Sequence, residues 1–290
     1  MKPAPFAYHA PQTIEEATRL LSKLENAKIL AGGQSLVPML NMRFAVPDHL
    51  IDLNRIKALR GLSRRDGSIE IGAMTRQQEL ETSKDVASAI PAMAQALPYV
   101  GHFQTRSRGT IGGSLCHLDP SAELPAICLL SDASLLISGP GGDRKVAAED
   151  WFLGFMQPAL EPNEILTSVE IKSWNPGHGS GVCEFSRRHG DYAIAGAAAL
   201  LALDGRNRIE RCAIVAFGVE VRPRRLSDAE RNLSGAEAGP EAFHEAASHV
   251  EQLDAMGDAT ASASYRKKVA AAMIRRALTM AHQNAKERSA

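Results

Sequence analysis

The stretch "AGGQSLVPMLNMR", Ala31 to Arg43, sets two adjacent glycines directly after the apolar run "KIL" and then begins a helix-like segment. Glycine takes positive φ and, lacking a Cβ, lets its backbone approach another group closely. Such a pair after a strand is either an ordinary tight turn or a loop shaped around a ligand. A second stretch, "TIGGSL" at Thr110 to Leu115, nearly repeats it. In the first stretch Ser35 stands where a helix N-cap belongs, and Pro38 falls in a first turn, whose amides have no partner inside the helix. Free amides at a helix start carry partial positive charge and form an anion site. Two such loops can grip one diphosphate from both sides, which suits a dinucleotide better than a mononucleotide. Just beyond the second loop, "DPSAELP" offers Asp119 as a cap with Pro120 at the first helical position.

Working outward, the first ~55 residues read as an α/β unit. "TIEEATRLLSKL" starts with a cap at Thr13 and puts Ala17, Leu20, Leu21 and Leu24 on one helical face, while "KILAGG" and "HLIDL" are short strands. A second α/β segment follows, with a strand at "SIEIGA", a short helix over residues 75–81, a helix at "SAELPAICLL" and a strand at "NEILTSVEI". "GPGGD" is the turn of a hairpin. "NPGHGSG", Asn175 to Gly181, has three glycines and a proline and is the expected domain linker. Beyond it, "VCEFSRR", "AIAGAAALLALD" and "RIERCAIVAFGV" read as antiparallel strands, and three helical segments end the chain. The last of these carries Val269, Met273, Ile274, Ala277, Leu278 and Ala281 at helical spacing, a packing face.

Composition narrows the function. The 290 residues hold 33 basic and 33 acidic side chains, so no global field steers the chain to nucleic acid or an anionic membrane. The N-terminal "MKPAPFAYHAPQT" has no apolar core of a secretory signal, and the longest apolar run, "AIAGAAALLAL", is about half a membrane span. A cytoplasmic protein is expected. Cys116, Cys128, Cys183 and Cys212 form no Cys-x-x-Cys pair, so any iron–sulfur cluster belongs to another chain. His244 and His249, five apart, sit about 140° apart around a helix and do not chelate together. No metal ligands are assigned. The Gly-x-Gly-x-x-Gly and P-loop fingerprints are absent, and Cys116 stands where a nucleophile elbow needs its last glycine.

"AGGQSLVPMLNMR", "TIGGSLCHLDPSAELP" and "RRHGDYAIAGAAA", in this order and at these separations, resemble the FAD-binding medium subunit of the molybdenum hydroxylases, the family of xanthine dehydrogenase and aerobic carbon monoxide dehydrogenase. The resemblance spans essentially the whole chain. It implies an α+β fold in which two small α/β subdomains, about 1–57 and 58–176, form a PCMH-type FAD-binding domain. A C-terminal domain of the CO dehydrogenase flavoprotein type, 177–290, follows with an antiparallel sheet and helices.

The same resemblance implies that Ala31, Gly32, Gly33, Gln34, Ser35 and Leu36 line the FAD diphosphate and ribityl chain. Thr110, Ile111, Gly112, Gly113, Ser114 and Leu115 are then the second wall. His117 falls at a variable position beside the flavin, Glu123 near its sugar side, Leu166 near the isoalloxazine and Tyr192 over one flavin face. By the residues alone, Glu123 is equally a first-turn acid, and Leu166 and Tyr192 equally core. Arg187 and Arg188 could hold a phosphate or a partner, or form exposed salt bridges. Two departures stand out: Ser114 replaces a common asparagine, and Cys183 replaces the lysine of the branch that reduces NAD. No general acid or base is assigned, because the cofactor carries the redox step. The implied partners are a large molybdopterin subunit and a small 2Fe-2S subunit, in a dimer of heterotrimers that passes electrons to an external acceptor. The complex could also associate with the inner face of the membrane. The alternative is a free-standing PCMH-type flavin oxidoreductase.

Overall fold

A computed structural model describes residues 1–65, 67–174 and 176–289. Its first unit runs β1 (Ala7–His9), α1 (Ile14–Lys23), β2 (Ala27–Leu30), α2 (Leu36–Asn41) and β3 (His49–Asp52). The three strands form a parallel sheet in the order β1-β3-β2. Thr13 caps α1 by accepting from the Glu16 amide at 3.1 Å, while the Glu16 carboxylate accepts from the Gln12 amide at 2.9 Å. The helix lays Ala17 on Ile51, Leu53, Ile56 and Leu59, a small core that also takes in Met74 and Ile165 from the next unit.

The second unit contains β4 (Leu62–Arg65), β5 (Ser68–Gly72), α3 (Gln77–Thr82), α4 (Lys84–Ala89), α5 (Pro91–Ala96), α6 (Phe103–Arg108), α7 (Ile111–His117) and α8 (Glu123–Leu130). It continues with β6 (Ser134–Gly139), β7 (Gly142–Ala147), β8 (Phe152–Gly154), β9 (Gln157–Pro158) and β10 (Ile165–Lys172). Its five-stranded sheet, β4-β5-β10-β6-β7, is antiparallel throughout, and "GPGGD" turns the β6–β7 hairpin as expected. Charged residues crowd the exposed edge strand β7, which discourages pairing with another chain.

The remaining chain forms β11 (Gly179–Phe185), β12 (Ala195–Leu203), β13 (Ile209–Phe217), β14 (Arg224–Arg225), α9 (Ser227–Leu233), α10 (Pro240–Ser248) and α11 (Ala263–Ser289). Its antiparallel sheet is covered on both faces. Ala195, Ala197, Ala199 and Leu201 of β12 pack into one core with α9, α10 and α11, while Ala198 and Leu200 join the core of the second unit. This double burial explains why β12 reads as an unbroken apolar run. α8 is likewise buried at every position, between the second unit and this sheet.

The C-terminal end of the expected linker is also a packing device. Asn175, its first residue, lies outside the described residues, but Gly179 and Gly181 belong to β11. A Cβ at Gly179 would lie 1.9 Å from the Ala281 carbonyl oxygen, and one at Gly181 2.1 Å from that of Ala277. The glycines let α11 lie directly on the strand. Arg266, 3 % exposed, then pins the start of α11 by donating to the carbonyls of Ile194 at 2.5 Å and Gly218 at 2.7 Å. Gly218 in turn donates to the Pro120 carbonyl at 2.8 Å, and the Ser121 hydroxyl to the Ala193 carbonyl at 2.8 Å.

Gly181→Ala should destabilise the chain by about 1–3 kcal/mol, because the methyl meets helix backbone that cannot rotate away. Urea unfolding checks this: a lower midpoint at unchanged slope is expected, and an unchanged midpoint contradicts the packing argument.

Candidate functional site

A cleft of ≈ 810 Å³ opens where the three units meet, a volume in the range of small-molecule and cofactor sites. Ala31 to Leu36 line one wall, Gly109, Thr110 and Gly112 to Ser114 another, and Gly190 to Tyr192 a third. The two glycine segments face each other across very little space. A Cβ at Gly32 would lie 2.4 Å from the Arg108 carbonyl oxygen and 2.8 Å from the Gly109 Cα, and one at Gly113 would lie 3.7 Å from the Ala31 Cβ.

The segments are not chemically alike. Gly33 has φ +75°, a conformation that favours glycine, and a Cβ there would approach Val37 Cγ2 at 3.1 Å. The amides of Gly32, Gly33, Gln34 and Ser35 meet no hydrogen-bond acceptor among the described residues, so this segment carries four free donors. Ser35 occupies the N-cap position of α2 but makes no capping bond. With six residues α2 adds little dipole, and the amides themselves form the anion-attracting surface.

"TIGGSL" is not a loop. It opens α7, with Thr110 as the cap, and the amides of Ile111 to Ser114 are occupied. Ile111 donates to the Thr75 carbonyl, Gly112 to the Ala73 carbonyl at 2.8 Å, Gly113 to Thr110 Oγ1 at 3.0 Å and Ser114 to the Thr110 carbonyl. A Cβ at Gly112 would lie 2.7 Å from the Ala73 carbonyl oxygen, so this glycine serves packing. The side chains of Ile111 and Leu115 are fully buried in the core and line no part of the cleft. The cap expected at Asp119 also differs. α8 starts at Glu123, and Asp119 accepts from the Ser121 amide at 2.9 Å in the preceding turn.

His117, Glu123, Leu166 and Tyr192 all line the cleft. Burial lowers the His117 pKa, holding the ring neutral. Tyr192 stands 62 % exposed at the rim. Arg187 and Arg188 lie exposed without an ion pair among the described residues, and Cys183 is buried against the C-terminal helices away from the cleft. Sequence reasoning missed Glu184, which interacts with Glu123 and has one carboxylate oxygen buried without a partner. It also missed the apolar wall of Met156, Pro158 and Leu160, and Lys28 at the cleft edge. Asn54 and Arg76, behind the glycine segments, went unseen as well, since no motif marks them.

Burial raises the pKa of both Glu123 and Glu184; the charge of Asp119 adds to the rise at Glu123, which the hydrogen bond to Glu184 offsets in part, while the charge and hydrogen bond of Glu123 raise Glu184 further. The values reach about 7 and about 8. A carboxyl whose folded pKa is raised contributes stability below its unfolded pKa, near 4.5, and loses it as pH rises through the folded value. The melting temperature should therefore fall between about pH 5 and 9, and less steeply in Glu184→Gln, which removes one charge from the pair. Parallel profiles for the two proteins would show that the pair does not titrate in this range.

Comparison with known proteins agrees with this architecture. A family described as "FAD binding domain in molybdopterin dehydrogenase" matches residues 4–174, and one described as "CO dehydrogenase flavoprotein C-terminal domain" matches residues 181–281. The 6-hydroxypseudooxynicotine dehydrogenase complex subunit alpha of Paenarthrobacter nicotinovorans is 38% identical over 99% of this chain and 97% of its own. The carbon monoxide dehydrogenase medium chain of Hydrogenophaga pseudoflava is 36% identical over 97% of this chain and 98% of its own. A solved structure of carbon monoxide dehydrogenase from Hydrogenophaga pseudoflava, lacking the Mo-pyranopterin moiety, superposes with a TM-score of 0.95 at 36% identity, covering 98% and 99% of the two chains. The chain belongs to the FAD-binding subunit family of the molybdenum hydroxylases.

Proposed function

We propose that this chain is the electron-output subunit of a heteromeric molybdenum hydroxylase, with FAD held in the cleft between the glycine segments. The observation that carries this reading is the set of four unpartnered amides, Gly32 to Ser35, lining a cleft against a second glycine segment. The residues present fit the cofactor. The free donors suit a pyrophosphate, while Leu166, Met156, Pro158 and Leu160 supply an apolar wall for a ring system.

Bound FAD supplies electron exchange in single or paired steps, the property that links an iron–sulfur carrier to a two-electron acceptor. The chain's own part is binding, orientation and exclusion of water. Gly32 to Ser35 donate through their backbone, and Thr110, Gly112, Gly113 and Ser114 close the opposite wall at backbone distance. Ile111 and Leu115 hold that wall from the core side. Glu123, His117, Leu166 and Tyr192, which all line the cleft, would hold FAD, Glu123 toward its sugar, His117 beside the flavin, and Leu166 and Tyr192 against the ring. The domain division follows the same reading: 1–176 for FAD, in subdomains of about 1–57 and 58–176, and 177–290 for the C-terminal domain.

In this reading a small 2Fe-2S subunit delivers the electrons, and a large subunit hydroxylates the substrate at molybdopterin. The assembly is a dimer of heterotrimers, cytoplasmic or held at the inner membrane face. Relatives whose printed names make them a "medium chain" or a "complex subunit" support the heteromeric part. No described helix is long and apolar enough to cross a membrane, and no group of three or more possible metal ligands occurs among the described residues.

Gly33→Val should abolish flavin retention, since the left-handed conformation costs a β-branched residue about 1–2 kcal/mol and displaces the free amides. Gly113→Val should do likewise by pushing against Thr110 Oγ1, 2.9 Å from its new Cβ. The visible spectrum of each purified chain checks both. Wild-type flavin content in both variants contradicts the assignment. Copurification of the wild-type chain from its native cell, followed by mass spectrometry, tests the complex, and recovery of the chain alone opposes it.

A further inference from the structure

We propose that Asn54 and Arg76 act as positioning residues, a polar clamp that joins the two glycine segments and aims the free amides of the first into the cleft. This rests on the reading of the cleft as an FAD site. Asn54 follows β3 in the first unit and Arg76 precedes α3 in the second, so each unit contributes one clamp residue and one glycine segment.

The contacts run in one connected chain. Asn54 Nδ2 donates to the Ala31 carbonyl at 2.9 Å and to Asp52 Oδ1 at 2.5 Å, and Asp52 Oδ2 accepts from the Tyr8 hydroxyl at 2.5 Å. Asn54 Oδ1 accepts from Arg76 Nη2 at 2.6 Å. Arg76 Nη1 donates to the Arg108 carbonyl, the same oxygen against which Gly32 packs. The Arg76 backbone also bridges to Thr110, at the start of the second segment.

The peptide plane explains what this achieves. In a trans peptide the carbonyl and the following N–H point in opposite directions. Fixing the Ala31 carbonyl on Asn54 turns the Gly32 amide away from the clamp, to a side where no group of the described chain accepts it. The Gly32 carbonyl is held in turn by Gln34 Nε2 at 3.2 Å, which directs the Gly33 amide. Arg76 forms no ion pair among the described residues, and burial followed by the charges of Arg60 and Arg108 lowers its pKa. A half-buried cation among like charges is retained here for the fork of donors that reaches Asn54 and Arg108 together.

The test compares full-length wild type with Asn54→Ala, Asn54→Asp, Arg76→Gln, Arg76→Lys and the double variant Asn54→Ala/Arg76→Gln. FAD affinity is read by flavin fluorescence, and melting temperature is read on the flavin-free chains. Asn54→Ala and Arg76→Gln should each raise the FAD Kd about 10- to 100-fold. Asn54→Asp accepts from Arg76 but cannot donate to Ala31, so it should lose as much as Asn54→Ala. Arg76→Lys should recover part of the loss. The double variant should bind no worse than the weaker single variant, because both residues serve one clamp. A merely structural role predicts instead additive losses that track a fall in flavin-free melting temperature, and that result overturns the proposal. Wild-type affinity in Asn54→Ala or Arg76→Gln overturns it alone, whereas a wild-type chain that takes up no FAD overturns the functional reading together with it.

Discussion

The cleft exists because two stretches of backbone touch where side chains would hold them apart. Gly32 rests on the carbonyl of Arg108 and the Cα of Gly109, and Gly112 rests on the carbonyl of Ala73. A Cβ at Gly32 would push rigid backbone and widen the gap between the first and second units, and one at Gly112 would push α7 off the Ala73 backbone within the second unit. The spacing of the walls is thus set by glycine packing, while the polar character of the surface comes from which amides remain unspent. Packing and chemistry divide between the two segments: the second mainly packs, and the first mainly presents donors.

The third wall depends on the C-terminal units. Tyr192 lies just before the buried stretch from Ala193 into β12, and that stretch is fastened by Arg266 at Ile194 and by Ser121 at Ala193. β12 is covered on both faces, so its position is shared between the C-terminal helices and the second unit. The acidic pair is built across the same junction, Glu123 from α8 and Glu184 from β11. The cleft is therefore a property of the whole chain, though its glycine segments both lie in the N-terminal units.

Much of this was legible in the residues. The β6–β7 hairpin and the packing face of α11 follow from local pattern, whereas the approach of the two glycine segments followed from the family resemblance. What escaped has physical reasons. "TIGGSL" looks like a loop because glycines weaken helix propensity, yet close packing against Ala73 and the Thr110 cap make it the start of α7. "GHGSG" looks like a linker because the helix that its glycines admit is about a hundred residues further along the chain. Asn54, Arg76 and Glu184 carry no local signature, since their partners come from other units and only the folded chain brings them together. Ile111 and Leu115 belonged to a motif without belonging to its surface, because neighbours in a helix point in different directions.

Arg266 gives the architecture a temporal side. Chains emerge from the ribosome N-terminus first, at about 5–20 residues per second. Both glycine segments are therefore made long before α11, the C-terminal-most element described, whose guanidinium fastens the backbone beside Tyr192. A nascent chain holding only the first two units has two walls and an open side, so the third wall is fastened only once α11 has been made.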